Sequence, residues 1–208
     1  MSIELKFEYD EETGMAYTYV NGDEVKGTLN RFDTLCIVET AQKYLSDEGC
    51  VYLETGSYLG CSSILVALLC GKATVYAHDI WVSDFDMLTA GSLPPPKVDG
   101  GYFKKFYDNV RKNKLQNRVI PIRGDSAYTV SCVHEDDSVD MAFIDGDHSE
   151  DGILRDLNAV YPKMKSGGVI LCHDCVDGSD ARKGLLKFGK EFNDIPGTYG
   201  MVMMLIKK

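Results

Sequence analysis

No apolar run in the 208 residues approaches the roughly 20 needed to cross a bilayer, so a membrane-spanning role is not expected. Positive charge is also scarce. With 22 Lys and Arg against 32 Asp and Glu, the formal net charge is −10. That argues against a nucleic-acid partner, because affinity for a phosphate polymer comes from clustered cations. The most basic stretch, FKKFYDNVRKNK, contains Asp108 and reads as the solvated face of a surface helix. The opening MSIELKFEYDEETG is acidic and has no apolar signal core, which points to a cytoplasmic protein. A small molecule is the remaining class of partner.

The cysteines lack the order that would give them chemistry. There are seven, an odd and scattered set at 36, 50, 61, 70, 132, 172 and 175, several inside apolar runs, and they read as reduced, mostly buried thiols. Cys172 and Cys175 form one CxxC. No second pair stands at matched spacing, which disfavours structural zinc, and the motif ends a strand-like run instead of opening a helix, which disfavours redox work. Internal repeats are absent as well.

Alternation is what the sequence does have. From residue 50, CVYLETG, ATVYAHDI, RVIPIRGDS, MAFIDGD and GGVILCHD read as strands. CSSILVALLCG, GYFKKFYDNVRKNKL and DGILRDLNAVYPKM between them read as helices. Apolar strands separated by helices imply crossover units, hence an α/β fold with a parallel sheet covered on both faces. In the helix predicted over 151–164, Ile153, Leu154, Leu157, Val160 and Tyr161 form one stripe. Residues 3–20 suggest an antiparallel hairpin around DEETG. RFDTLCIVETAQKYL places Phe32, Leu35, Cys36, Tyr44 and Leu45 near helical spacing. A helix near 181–193 and a last strand, YGMVMMLIK, complete the chain. Residues 82–101, with three consecutive prolines, are too long and irregular for a plain connection and suit a lid or binding segment, plain disorder being the alternative.

The loop after the first sheet strand, LETGSYLGCSS, is glycine-bearing but omits two familiar features. The middle glycine of G-x-G-x-x-G is replaced by Tyr58, whose side chain would obstruct a pyrophosphate, and no Gly-Lys-Ser/Thr follows. A cofactor without phosphates needs neither. Glu54, at the strand end, would attract an amine, and Gly56, Ser57 and Gly60 in the turn would bind the same cofactor. Asp79, 23 residues after Gly56, could accept hydrogen bonds from ribose hydroxyls, or serve simply as a cap or loop residue. Ile80 and Trp81 would offer apolar surface to an adenine ring, and Asp125 and Ser126 end the next strand in the same crevice.

With ETGSYLG, HDIW, GDS, FIDGDHSEDG and GGVILCHD in place, the chain resembles the class I S-adenosylmethionine-dependent methyltransferases over roughly residues 32–208. The resemblance implies a Rossmann-like seven-stranded sheet with an antiparallel last strand, a single domain over 31–208 after an N-terminal hairpin extension (1–30), and Glu54, Gly56, Asp79 and Asp125 around the cofactor. FIDGDHS with GGVILCHD looks most like the metal-dependent O-methyltransferases of catechols and sugars. Their pattern has an acid ending the fourth strand, a basic residue three positions on, and an acidic pair ending the fifth. Asp145, His148 and His173-Asp174 fall on those places, His173 departing from the usual acid or amide.

The chemistry suits these residue types. An alcohol must lose most of its proton before it attacks a sulfonium methyl, and a bound cation can lower that pKa by several units. Hard Mg²⁺ prefers carboxylate oxygens such as those of Asp145 and Asp174; His173 as a ligand would favour Mn²⁺ or iron. His148, which titrates near neutrality, would be the base. Its plainer role is a hydrogen-bonded loop residue, and that of His173 a structural histidine. Asp147 is expected to cap the helix starting near Ser149. Two other readings remain: a metal-free O- or N-methyltransferase using His148 and Asp145, and a noncatalytic nucleoside-binding module. Residues 82–101 and the hairpin would select the acceptor or join copies in a homo-oligomer.

Overall fold

The computed structural model describes residues 4–9, 16–20, 22–25, 27, 29–81, 101–195 and 201–208. The segment expected to act as a lid lies outside them, apart from Gly101. The expected hairpin is present as β1 (Leu5–Tyr9) against β2 (Ala16–Val20), and an unexpected third strand, β3 (Asp23–Val25), pairs with β2. Val20, Val25 and Leu29 pack into the same core cluster as the main sheet, and the Cys61 thiol contacts Val25 O at 3.7 Å.

After helix α1 (Arg31–Tyr44) the chain lays down β4 (Val51–Thr55), α2 (Cys61–Leu69), β5 (Thr74–Asp79), α3 (Tyr102–Lys112) and β6 (Val119–Arg123). Next come α4 (Ser126–Val133), β7 (Val139–Ile144), α5 (Glu150–Lys163), β8 (Met164–Cys172), α6 (Asp180–Phe188), β9 (Asn193–Asp194) and β10 (Met203–Ile206). The seven-stranded sheet has the order β6-β5-β4-β7-β8-β10-β9, and β10 runs antiparallel to β8 and β9. Pro121 is tolerated because β6 is an edge strand, where a missing N–H costs no ladder bond.

Helix α1 shows a corrected face. Phe32 is half exposed, and Asp33, Thr34, Cys36, Ile37 and Ala41 form the buried side. Helix α4 was missed by the pattern reading, since its eight residues carry too little periodicity; Asp125 caps it by accepting from Tyr128 N. In α5 the expected Ile153, Leu157 and Val160 are buried, but the cap is Ser149, which accepts from Gly152 N. Asp147 instead accepts from Ser149 N and pairs with Arg155.

Beneath α4 the sheet buries an imidazole pair. His78 Nε2 lies 3.0 Å from His134 Nε2, and His78 Nδ1 lies 2.9 Å from Thr129 Oγ1. Thr129 can donate to Ser126 O, so the consistent assignment has His134 donating to His78, with one proton on the shared line. Burial, reinforced by the neighbouring His134, lowers His78 to about 3, and burial with the Lys163 charge lowers His134 to about 4. Tyr76 closes the other side of His134 with an edge contact. Both rings titrate near 6.5 when unfolded, so the unfolded chain binds more protons below that pH and stability falls as pH drops from 6.5 towards 4. The loss should be on the order of a few kcal/mol. Denaturation curves at stepped pH should show a shallower dependence in His134→Gln, which keeps a donor and cannot titrate. Equal slopes would exclude the pair as its source.

Candidate active site

The site is built where the strand order changes direction. β4 has β5 on one side and β7 on the other, so its C-terminal end opens between crossovers running to opposite faces, where such sheets bind ligands. Register carries the side chains there. Thr55, Ile144 and Cys172 are aligned across β4, β7 and β8, so the residues that follow, Gly56, Asp145 and His173, are neighbours. Asp145 N donates to Thr55 O and His173 N to Ile144 O.

Gly56 has φ +83, a left-handed conformation, and a Cβ built on it would lie 2.6 Å from Gly146 Cα and nearer still to the Asp145 carbonyl oxygen. The glycine loop and the β7–α5 loop are therefore in backbone contact. Tyr58 also has positive φ, +45, at a strain cost of about 1–2 kcal/mol. Its N–H donates to Asp79 Oδ2 at 2.7 Å, and a hydrogen bond to a carboxylate contributes about 1.5–3 kcal/mol, enough to offset the strain. Asp79 Oδ1 accepts from Trp81 N at 2.6 Å. Burial raises the Asp79 pKa and the two N–H bonds oppose the rise. Asp79 thus braces the glycine loop. Gly60, φ +87, begins α2 with the Phe106 ring against its Cα side.

Glu54 departs from expectation. It is fully buried, with Oε2 accepting from the Tyr52 hydroxyl at 2.7 Å and Oε1 from Ser63 at 2.8 Å, and burial raises its pKa against those bonds. It therefore sits behind the loop, and its oxygens are engaged by protein hydroxyls before any amine arrives. Trp81 corrects a second expectation. Its ring is 3% exposed, packs on Phe103 and Phe106, and donates Nε1–H to Tyr58 O, so it belongs to the core; Ile80, 53% exposed, keeps the outward position. Asp125 caps α4 and lies 3.4 Å from Arg155, while Ser126 donates to the buried Asp156 at 2.7 Å.

The predicted acid and histidine set does come together. His148 Nε2 is 3.2 Å from Asp145 Oδ1, and its Nδ1 is 2.9 Å from Asp174 Oδ2. His173 Nδ1 is 2.9 Å from Asp145 Oδ1 and 3.4 Å from Asp174 Oδ1. Asp145, His148 and His173 each offer one ligand atom, all within 4.8 Å of one another, so His148 joins the grouping expected of Asp145, His173 and Asp174. Hydrogen bonds to Asp145 and Asp174 raise His148 to about 10. Burial pushes His173 down, but Asp145, Asp33 and Asp174 together outweigh it and raise the ring to about 11. Burial opposes ionisation of Asp145, yet the two imidazoles hold its pKa below the usual value, and the bond to His148 does the same for Asp174. Asp174 has φ +54, a strained position for a non-glycine residue.

A model of the methyltransferase domain family matches residues 53–175, well over half the chain and spanning the glycine loop and the acid–histidine cluster alike. The chain belongs to this family. It is an S-adenosylmethionine-dependent methyltransferase. No curated protein matches it by sequence. Among solved structures it is similar to the O-methyltransferase NovP, with TM-score 0.66 and 15% identity over 89% of this chain and 83% of that one. CalS11, a TDP-rhamnose 3'-O-methyltransferase of calicheamicin biosynthesis, gives 0.61 and 16% over 86% and 82%. An O-methyltransferase from Bacillus cereus in complex with SAH gives 0.59 and 15% over 86% and 82%. At these identities the likeness is one of fold. Among the described residues no helix of the methyltransferase is long and apolar enough to cross a membrane.

One residue of the methyltransferase site escaped the sequence reading. Asp33, in the first turn of α1 and 1% exposed, places Oδ2 2.9 Å from His173 Nε2. A signal existed: Asp33 precedes Cys36 and Ile37 by three and four positions, so it is a carboxylate on the apolar stripe, although a first-turn acid also looks like an ordinary response to the helix dipole.

Proposed function

We propose that this methyltransferase methylates an oxygen of a small hydroxylated acceptor, sugar-like or phenolic, with the help of a divalent cation, Mg²⁺ or Mn²⁺. One observation carries the reading: the acid–histidine cluster stands in backbone contact with the glycine loop, through Asp145 O and Gly56. Methyl donor and acceptor oxygen would then meet at one place.

The residues fit both groups. In the glycine loop, the buried Ser57 hydroxyl lies beside the Glu54 carboxylate without a well-aligned hydrogen bond, leaving a polar atom that could turn to the methionine end of the cofactor. Asp79, each of whose oxygens already accepts one backbone N–H and keeps a further lone pair, and the exposed Ile80 would be the groups to meet ribose and base. In the cluster, His173 Nδ1 lies 2.9 Å from Asp145 Oδ1 without hydrogen-bond alignment. Two ligand atoms in contact but not aimed at each other suit a cation held between them.

S-adenosylmethionine supplies a methyl group on a positively charged sulfur, and a divalent cation would lower the pKa of the acceptor hydroxyl. Asp145, His173 and Asp174 would hold the cation. His148 is the exposed imidazole of the cluster, and Asp145 and Asp174 hold it charged. With those two carboxylates drawn to a cation that hold would weaken, and the ring could then give up its Nε2 proton and take the one that the acceptor oxygen releases. One proton leaves as one methyl group arrives, which balances the reaction.

The test is methyl transfer to a panel of catechols and sugars with Mg²⁺ or Mn²⁺, with EDTA, and with the cation restored. Turnover should disappear on chelation and return with excess cation, while calorimetric affinity for S-adenosylhomocysteine holds throughout. Turnover indifferent to EDTA would remove the cation from the scheme.

A further inference from the structure

Asp33 lies 140 positions from His173 in sequence, on a helix that precedes the sheet, and reaches His173 through the core. A buried carboxylate is retained only where donors meet it, because an unpaired charge in the interior is strongly destabilising. Its donors are few. Oδ2 receives the Asn30 amide and faces His173 Nε2, and Oδ1 has no hydrogen bond. Asn30 is already occupied as the α1 cap, its Oδ1 accepting from Phe32 N and Asp33 N, so the Asn30 side chain ties the cap of α1 to the Asp33 carboxylate.

We infer that Asp33 is a positioning residue: by accepting the His173 Nε2–H, it holds that ring with Nδ1 turned towards Asp145 and Asp174. The inference deepens the cation-assisted reading and rests on it for its consequence, not for its geometry. His173 stands where an oxygen ligand would otherwise be expected, and an imidazole can ligate only from the nitrogen that carries no proton. With Nε2–H committed to α1, the nitrogen from which a cation would displace a proton is Nδ1, the one that faces Asp145 and Asp174. A carboxylate behind a ligating histidine also fixes ring orientation and strengthens the donor nitrogen. Of the two other rings against it, Phe143 at 5.9 Å between centroids is apolar, and His148 at 6.4 Å is bound to Asp145 and Asp174 within the cluster, so neither takes this part.

Two measurements on Asp33→Asn test the inference. The first needs no cation. In ¹⁵N-histidine-labelled protein the His173 Nε2 proton should be far downfield and slow to exchange, and Asp33→Asn, which keeps an acceptor but removes its charge, should move that proton upfield and speed its exchange while the circular dichroism spectrum and S-adenosylhomocysteine affinity change little. The second is Mn²⁺ titration followed by electron spin resonance. Asp33→Asn should weaken binding about ten- to a hundredfold, and the same change in a His173→Asn background should have no further effect, because Asp33 acts through the ring. An Nε2 proton unaffected by the substitution, or equal weakening in both backgrounds, would overturn the positioning role. Wild-type protein that keeps the Nε2 signature but binds no Mn²⁺ would leave Asp33 in place and overturn the cation reading instead.

Discussion

Asp145→Asn is expected to reduce methyl transfer about a hundredfold or more while affinity for S-adenosylhomocysteine stays within a few fold. Removing groups that merely support a metal ligand costs about 10–100-fold, and Asp145 would be a ligand itself. The carboxylate is also the hub of the cluster, since Oδ1 stands within 3.2 Å of both His148 Nε2 and His173 Nδ1. Asparagine keeps the shape but halves the acceptor capacity and deletes the charge. The separation of effects has a structural reason. What Asp145 offers the glycine loop is its backbone carbonyl, which the substitution leaves alone, and the loop is braced from the other side by Asp79. Parallel loss of S-adenosylhomocysteine binding in calorimetry would mean the two sites are not separate and would sink the assignment.

Gly56→Ala should be the most destabilising single methyl group that can be added near the site. Two costs combine. A left-handed conformation strains any L side chain by about 1–2 kcal/mol. In addition the new Cβ would strike the Asp145 carbonyl and Gly146 Cα, which are backbone atoms held by β7 and cannot rotate aside. Overpacking of this kind costs about 1–3 kcal/mol or more. Together they imply a fall in melting temperature of roughly 10 °C for a chain of this size. Gly49→Ala is the control, because Gly49 has nearly the same φ, +81, with nothing within 4 Å of its Cβ position. The control isolates strain, and the excess loss in Gly56→Ala measures the contact between loops. Equal losses in the two variants would show that the loops can separate at little cost, and the adjacency of cofactor loop and cluster would no longer be a fixed feature.

Residues that end strands were legible because their role follows from position along the chain. Asp145 and His173-Asp174 each close an apolar run, and a parallel sheet brings such ends to one edge whatever their separation in sequence. Gly56 was legible for a related reason, although its demand comes from the Asp145 backbone as well as from any ligand. Trp81 was misread because an aromatic after a strand can turn either way, and here Phe103 and Phe106 on α3 draw the ring inward. Glu54 was misread because alternation along β4 decides its face, and that face carries Tyr52 and Ser63 to receive it. Helix α4 is too short for its period to stand out.

By itself the amino-acid order determined the α/β alternation, the glycine turn and the acids at the strand ends, since each depends on neighbours a few positions away and on the chain's repeating geometry. Only the tertiary structure decided that Asp33 of α1 meets His173, that His148 bridges two carboxylates, and that Gly56 rests on Asp145. Those contacts come from packing a helix and two loops against one edge of the sheet, and no local pattern encodes which distant side chain a buried charge will find.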